Sequence, residues 1–143
     1  MLQTNAFDYQ RQIPQIIKAM VASEKAIADH GLDPVLRHLV KLRASQINGC
    51  AFCVKMHLAE ARQDGEINER LDRLVVWQHV DDFSEREKAA LAWTEALTSL
   101  DHGADHTAVK QRLAQQFSDP EIAALTATIA MINLWNRLMV ATH

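Results

Sequence analysis

The stretch that decides the fold runs from His38 to Arg62 and reads HLVKLRASQINGCAFCVKMHLAEAR. Apolar residues recur at helical spacing on both sides of Asn48–Gly49, two residue types that tolerate the left-handed conformation ending a helix. The pattern therefore predicts helix, short break and helix. A second helix beginning near Cys50 places Cys50, Cys53 and His57 within an arc of about 60° on one face. Two thiols and an imidazole beside a helix N-terminus are typical of redox or metal chemistry.

The remainder of the chain is also predicted to be helical. Only 4 Gly and 3 Pro occur among 143 residues, which favours long helices over many turns, and no alternating strand pattern is found. We predict an all-α fold, a single domain spanning residues 1–143, built as a bundle of about six to seven helices. Helix starts are predicted at Asp33-Pro34, Asn68, Ser84–Glu87 and Ser118–Glu121, and residues 1–12 are expected to form an extended arm.

Composition narrows the function classes. Lys and Arg total 15 against 18 Asp and Glu, so the net charge of −3 gives no reason to expect a nucleic-acid partner or an anionic membrane surface. The N-terminal residues lack the apolar segment of a secretory signal, and we expect a cytoplasmic protein. A disulfide between Cys50 and Cys53 would close too short a loop to act as a structural staple. Reactivity or metal binding is the better explanation for the pair.

The C-terminal helix is apolar on nearly every side between Ile122 and Trp135. A membrane span needs about 18 or more apolar residues, and here Thr126, Asn133 and Arg137 interrupt the run. We therefore predict a central core or subunit-interface helix and no membrane insertion.

The segment KLRASQINGCAFCVKMH, together with FSEREKAALAWTEALT and FSDPEIAALTATIAMINLWNRL, resembles the AhpD-like alkylhydroperoxidases of the carboxymuconolactone decarboxylase superfamily. The resemblance implies an AhpD-like helical bundle that assembles as a homo-oligomer, a trimer or a hexamer. It also implies a peroxidase that needs neither cofactor nor metal and cycles its cysteines between dithiol and disulfide. The implied partners are a peroxide substrate and a thiol reductant: a lipoyl protein, a thioredoxin-like protein or a small dithiol.

The resemblance also implies site residues. Cys53 matches the cysteine that attacks the peroxide, Cys50 the resolving cysteine and His57 the imidazole of the proton relay. The relay of well-studied members begins at a Glu, and His38 occupies that position here, twelve residues before Cys50. We expect His38 to stand in for this Glu, and peroxide reduction to fall below about pH 6.5 as His38 and His57 protonate. Those members can also carry a His where this chain has Phe52.

The sequence leaves open which cysteine attacks the peroxide, and it allows two alternatives to the peroxidase function. On helix-dipole grounds Cys50, nearer the helix start, is the more acidic sulfur, whereas the resemblance gives the peroxide step to Cys53. A second hypothesis is a non-catalytic Cys2His2 zinc site formed by His38, Cys50, Cys53 and His57, since these are ligands that zinc prefers. A third is a lactone decarboxylase of the same superfamily, although those lyases do not depend on a thiol pair.

Overall fold

The helical elements account for most of the chain. The computed structural model describes residues 7–142, and within that range every regular element is helical. The elements are α1 (Tyr9–Gln12), α2 (Pro14–Asp29), α3 (Pro34–Ile47), α4 (Ala51–Gln63), α5 (Asn68–Arg73), a 3-10 helix (Leu74–His79), α6 (Glu85–Ser99), α7 (Thr107–Gln116) and α8 (Asp119–Thr142). The predicted all-α fold is confirmed, with seven longer helices and the single turn of α1.

Side-chain caps explain why several helices begin where they do. Asp33 accepts a hydrogen bond from the backbone N–H of Val35 at 2.9 Å at the start of α3. Ser84 and Glu87 form the predicted reciprocal capping box of α6. Ser118 and Glu121 repeat it at α8, where the Ser118 backbone N–H donates to Glu121 Oε1 at 3.0 Å. Asp33-Pro34 and both capping-box predictions are confirmed.

Two expectations near helix ends were wrong. The arm predicted for residues 1–12 contains the one-turn helix α1, which Asp8 caps by accepting from the Arg11 backbone N–H, while residues 1–6 lie outside the described range. Asn68 is the first residue of α5 rather than its cap. Its side-chain oxygen instead accepts from Arg62 Nε at 2.9 Å, so a tertiary contact competes with capping.

The core lies mainly where α3 packs against α6 and α8, and α3 also packs along α4. One buried cluster joins Leu36 and Val40 to residues of α6, α7 and α8, and a second joins Leu39 and Leu42 to α4, α5 and α6. One face of α3 therefore packs in the first cluster and another face packs in the second. Of the described helices, α8 has the length and mean hydropathy (1.2) of a membrane span. It packs on α2, α3 and α6 and is 39% buried over its most apolar window, which leaves both predicted roles, core helix and subunit-interface helix, open.

A buried polar network holds the break between α3 and α4. Asn48 Nδ2 donates to Asn133 Oδ1 and to Asn136 Oδ1, each at 3.0 Å, and Asn136 Nδ2 donates to Ser45 Oγ at 3.0 Å. Gly49 alone adopts the left-handed conformation (φ 67°), whereas Asn48 keeps a helical one. The network ties the turn before Cys50 to α8, and so fixes the start of α4 relative to the rest of the bundle.

Candidate active site

The two cysteines sit at the N-terminus of α4. Cys50 is the N-cap residue, and its Sγ accepts a hydrogen bond from the Cys53 backbone N–H at 3.3 Å. The sulfurs of Cys50 and Cys53 are joined in a disulfide, with their Cα atoms 5.3 Å apart. The predicted start of the helix near Cys50 is confirmed. Because a helix N-terminus stabilises negative charge, reduction of this disulfide would release thiolates where the backbone favours them.

A cavity of about 370 Å³ opens beside Cys53 and His57. Both cysteines are almost fully shielded from solvent (2% exposure for Cys50 and 1% for Cys53), and the cavity gives a small molecule a place to bind beside Cys53. Cys53 lies in its wall, and Cys50 does not. The lining is chiefly apolar; its other members are Glu24, Lys41, Phe52, Met56, Glu60, Ile132, Trp135 and Met139.

His57 is buried one helical turn after Cys53. Its Nδ1 lies 3.1 Å from Glu60 Oε2, and its Nε2 is buried with no hydrogen-bond partner within the described part of the chain. Burial lowers the pKa of His57 below the ordinary 6.5, while the Glu60 carboxylate opposes that shift; Lys41 and His38 reinforce it. The result is a neutral imidazole with an unoccupied nitrogen on a residue that lines the cavity.

His38, on α3, approaches the same glutamate as His57. Its Nε2 lies 2.5 Å from Asp64 Oδ2, and its Nδ1 lies 3.8 Å from Glu60 Oε2. That second distance exceeds a hydrogen bond, and His38 Nδ1 has no partner among the described residues. Glu60 thus stands against both imidazoles, in closer contact with His57.

Several residues around the cavity escaped the sequence-based prediction. Glu24 of α2 accepts from Trp135 Nε1 at 3.0 Å and faces Lys41 Nζ at 3.5 Å. The one local signal was Glu24 itself, a carboxylate in an otherwise apolar stripe of α2. Trp135 lies in the wall of the cavity, although its apolar surroundings in the sequence favoured the core. Glu60 also had a signal, since it follows His57 by one helical turn.

The arrangement does not favour the zinc hypothesis. The two sulfurs are bonded to each other in the disulfide, and His38 Nε2 is hydrogen-bonded to Asp64. Among residues 7–142, no group of three or more His, Cys, Asp or Glu side chains is placed to hold a metal ion. A closed zinc site needs four ligands around one point, and these four candidates do not converge in that way.

The helix pair α3–α4 with its cysteines lies within the part of the chain that matches a known protein family. The model of the carboxymuconolactone decarboxylase family matches residues 14–96, which is more than half of the sequence. The chain belongs to this family. The chain is also 34% identical over 133 residues to the uncharacterised protein YdfG of Bacillus subtilis, covering 93% of this chain and 90% of that one.

Solved structures of similar proteins agree with the family assignment. A protein of unknown function from Agrobacterium tumefaciens, ATU0492, suggested to be an antioxidant defence protein AhpD, superposes with a TM-score of 0.90 at 39% identity. That match covers 96% of this chain and 94% of the other. The debrominase Bmp8 superposes with a TM-score of 0.83 at 23% identity, covering 93% of this chain and 72% of that one. The second likeness shows the fold alone. The predicted AhpD-like, carboxymuconolactone decarboxylase superfamily is thereby confirmed.

Proposed function

We propose that this member of the carboxymuconolactone decarboxylase family is a thiol-dependent peroxidase that reduces organic hydroperoxides through a Cys50–Cys53 dithiol–disulfide cycle. The observation that carries the proposal is that Cys53 and His57 line one apolar cavity beside a disulfide at a helix N-terminus, and that His57 Nε2 has no hydrogen-bond partner among residues 7–142. The likeness to ATU0492, itself suggested to be an antioxidant defence protein, supports the same class of activity.

The chemistry begins with the reduced pair. His57 Nε2 takes the proton of the Cys53 thiol, and the thiolate attacks the terminal oxygen of the hydroperoxide. The O–O bond breaks, the alkoxide takes a proton and leaves as an alcohol, and Cys53 keeps the other oxygen as a sulfenic acid. The Cys50 thiolate then attacks that sulfur, which forms the disulfide and releases water. The two thiols thus supply the two electrons that reduce the hydroperoxide.

Regeneration requires an external thiol. A dithiol would attack one sulfur of the disulfide through a mixed disulfide, supply two electrons and leave oxidised. The candidates remain a lipoyl protein, a thioredoxin-like protein or a small dithiol. The proposal places this cycle in the cytoplasm, where thiol systems keep such pairs reduced.

Peroxide titration tests the proposal directly. One equivalent of cumene hydroperoxide added to reduced, metal-stripped protein should remove both free thiols and form an intramolecular Cys50–Cys53 disulfide. Mass spectrometry of alkylated samples counts the thiols, and a dithiol should restore both. Two thiols that survive excess hydroperoxide would contradict the peroxidase assignment. Metal content is measured on the untreated protein, because a zinc site would retain its metal and protect the thiols.

We also propose that the protein is a homo-oligomer. Leu134 and Val140 of α8 are 38% and 49% exposed, and Ile16 and Val21 of α2 are 55% exposed, so apolar side chains of these two helices face outward. Light scattering at micromolar concentration should report a multiple of the 16.1 kDa chain, a trimer or a hexamer. Leu134→Lys should shift that mass towards the monomer. Val75→Lys, at an exposed apolar residue of the 3-10 helix, is the matched control. A stable wild-type monomer would contradict the proposal.

A further inference from the structure

Glu60 stands between the two histidines near the thiol pair. Its Oε2 lies 3.1 Å from His57 Nδ1 and 3.8 Å from His38 Nδ1. His57 and Glu60 share α4, whereas His38 comes from α3. The far nitrogen of His38 is held by Asp64, the residue that ends α4. A chain of four titratable groups therefore runs from the buried His57 to the exposed end of the helix.

We propose that Glu60 is the positioning carboxylate of His57, and that α4 itself supplies the group which the family resemblance expects at position 38. The proposal rests on the peroxidase function proposed above, because it assigns the residue that prepares His57 to take the Cys53 proton. His38, held by Asp64, is then an outer member of the chain that acts on His57 through Glu60.

The hydrogen bond to Glu60 selects the tautomer of His57. An ionised carboxylate only accepts hydrogen bonds, so His57 Nδ1 carries the hydrogen and donates it to Glu60. Nε2 then keeps its lone pair, and Nε2 is the buried atom without a partner among the described residues. A carboxylate can only accept from Nδ1, whereas an amide at the same position could either accept from Nδ1 or donate to it and so would not select one tautomer.

Glu60 also stabilises the proton once it has moved. When Nε2 takes the Cys53 proton, the imidazolium of His57 faces a carboxylate at 3.1 Å in a largely buried site, where charges interact more strongly than in water. The Glu60 side chain is 42% exposed, so it joins the buried imidazole to solvent. The other charged groups near His57 are Lys41 and His38 on α3, with Glu24 of α2 across the same cavity.

In its observed position His38 makes no hydrogen bond to Glu60, and it therefore does not replace Glu60 as the group that orients His57. The 3.8 Å separation lacks a hydrogen bond, and His38 Nε2 is committed to Asp64. A neutral His38 whose Nε2 donates to Asp64 has only a lone pair at Nδ1, so it has no hydrogen to donate to the Glu60 carboxylate. The expected effect of His38→Ala is therefore smaller than that of Glu60→Gln.

The decisive variant is Glu60→Gln, which keeps the shape of the side chain and removes its charge. Peroxide reduction should fall about 10²-fold, the usual scale for an oriented acid–base group. The acid limb of the pH–rate profile should move to lower pH, because the Glu60 carboxylate raises the pKa of His57 and its removal lets that pKa fall further. Glu69→Gln, an exposed glutamate at the start of α5, is the matched control and should change neither quantity.

A second readout does not depend on peroxide at all. Nitrogen-15 NMR of histidine-labelled, reduced protein reports which ring nitrogen of His57 carries the hydrogen, with the signal assigned by its loss in His57→Gln. The wild type should show the Nδ1–H tautomer, and Glu60→Gln should show a mixture. This result separates the two proposals, since the tautomer stands or falls independently of whether hydroperoxides are substrates.

The outcomes are distinct. If Glu60→Gln keeps the wild-type tautomer and acid limb, Glu60 does not position His57 and the proposal is overturned. If His38→Ala instead changes the His57 tautomer and the acid limb of the pH–rate profile, His38 is the relay group that the resemblance implied. Glu60→Asp, which retains the carboxylate on a shorter side chain, should recover part of the lost rate and supports the proposal if it does.

Discussion

Replacement of Cys53 by Ser is expected to lower hydroperoxide turnover by at least about 10³-fold, because a hydroxyl cannot replace the thiolate as nucleophile. Cys53 is in the wall of the cavity, whereas Cys50, the N-cap of α4, does not line it. Turnover is measured with cumene hydroperoxide and a dithiol reductant. A Cys53→Ser protein that turns over at the wild-type rate would remove Cys53 from the reaction.

Replacement of Cys50 by Ser is the matched variant, and it should block the reaction at a later step than Cys53→Ser does. Ser is a favoured N-cap residue, so its hydroxyl can accept from the Cys53 backbone N–H and keep the start of α4. The first reaction with hydroperoxide should then proceed and stop at a sulfenic acid on Cys53. A dimedone adduct on Cys53, found by mass spectrometry, is the expected product. A sulfenic acid trapped on Cys50 in the Cys53→Ser protein would reverse the two roles.

The more acidic cysteine and the more accessible cysteine have different roles in the proposed cycle. Cys50, as the N-cap, receives a backbone N–H and should be the better stabilised thiolate on dipole grounds. A stabilised thiolate is also the better leaving group when a reductant opens the disulfide. A reductant that attacks Cys53 from the cavity would therefore expel Cys50. The same sulfur then meets both the peroxide and the reductant, which is consistent with the roles implied by the family resemblance.

Local sequence signals predicted the helices well because their determinants are local. The apolar spacing and the caps at Ser84 and Ser118 act within one or two helical turns, so neighbouring residues suffice to locate them. Asn68 shows the limit of that reasoning. Its side chain is a good capping group, but Arg62 from the end of α4 engages it in the folded protein. Arg62 precedes Asn68 by only six residues, but its approach depends on the turn between α4 and α5, and a capping pattern does not encode that turn.

The candidate site likewise contains residues that local sequence patterns predict and residues that meet only in the folded protein. The spacing of Cys50, Cys53 and His57 is a property of one helix, and the structure places all three on α4 or at its cap. The opposite wall is different, because Glu24, Lys41 and Trp135 come from three helices and meet only after packing. The sequence alone does not indicate that Trp135 donates to Glu24 rather than lying wholly in the core.

Replacement of His57 by Gln is expected to lower turnover about 10²- to 10⁴-fold, since it removes the base that takes the Cys53 proton. The variant should leave the cysteines able to form a disulfide with a strong oxidant. That retained reaction distinguishes a lost base from a misfolded protein. If His57→Gln keeps the wild-type rate, the proton of Cys53 does not pass through His57.

The pH dependence of the wild type gives an independent check on His57. Its lowered pKa means that the imidazole stays neutral at pH values where a free histidine is protonated, so the acid limb due to His57 should lie below pH 6.5. This places the limb lower than the value of about 6.5 expected from the sequence, where the burial of His57 could not be foreseen.

The same shift makes a prediction for stability. His57 binds its proton more weakly in the folded protein than in the unfolded chain, so unfolding takes up a proton between the two pKa values. The contribution of His57 to the free energy of unfolding is therefore fully present above pH 6.5 and is lost as the pH falls through the window below it. The slope from this one group is at most about 1.4 kcal/mol per pH unit. Urea unfolding at several pH values from 7.5 to 5 measures it. The slope should be reduced in His57→Gln, and an unchanged slope would show that His57 titrates normally in the fold.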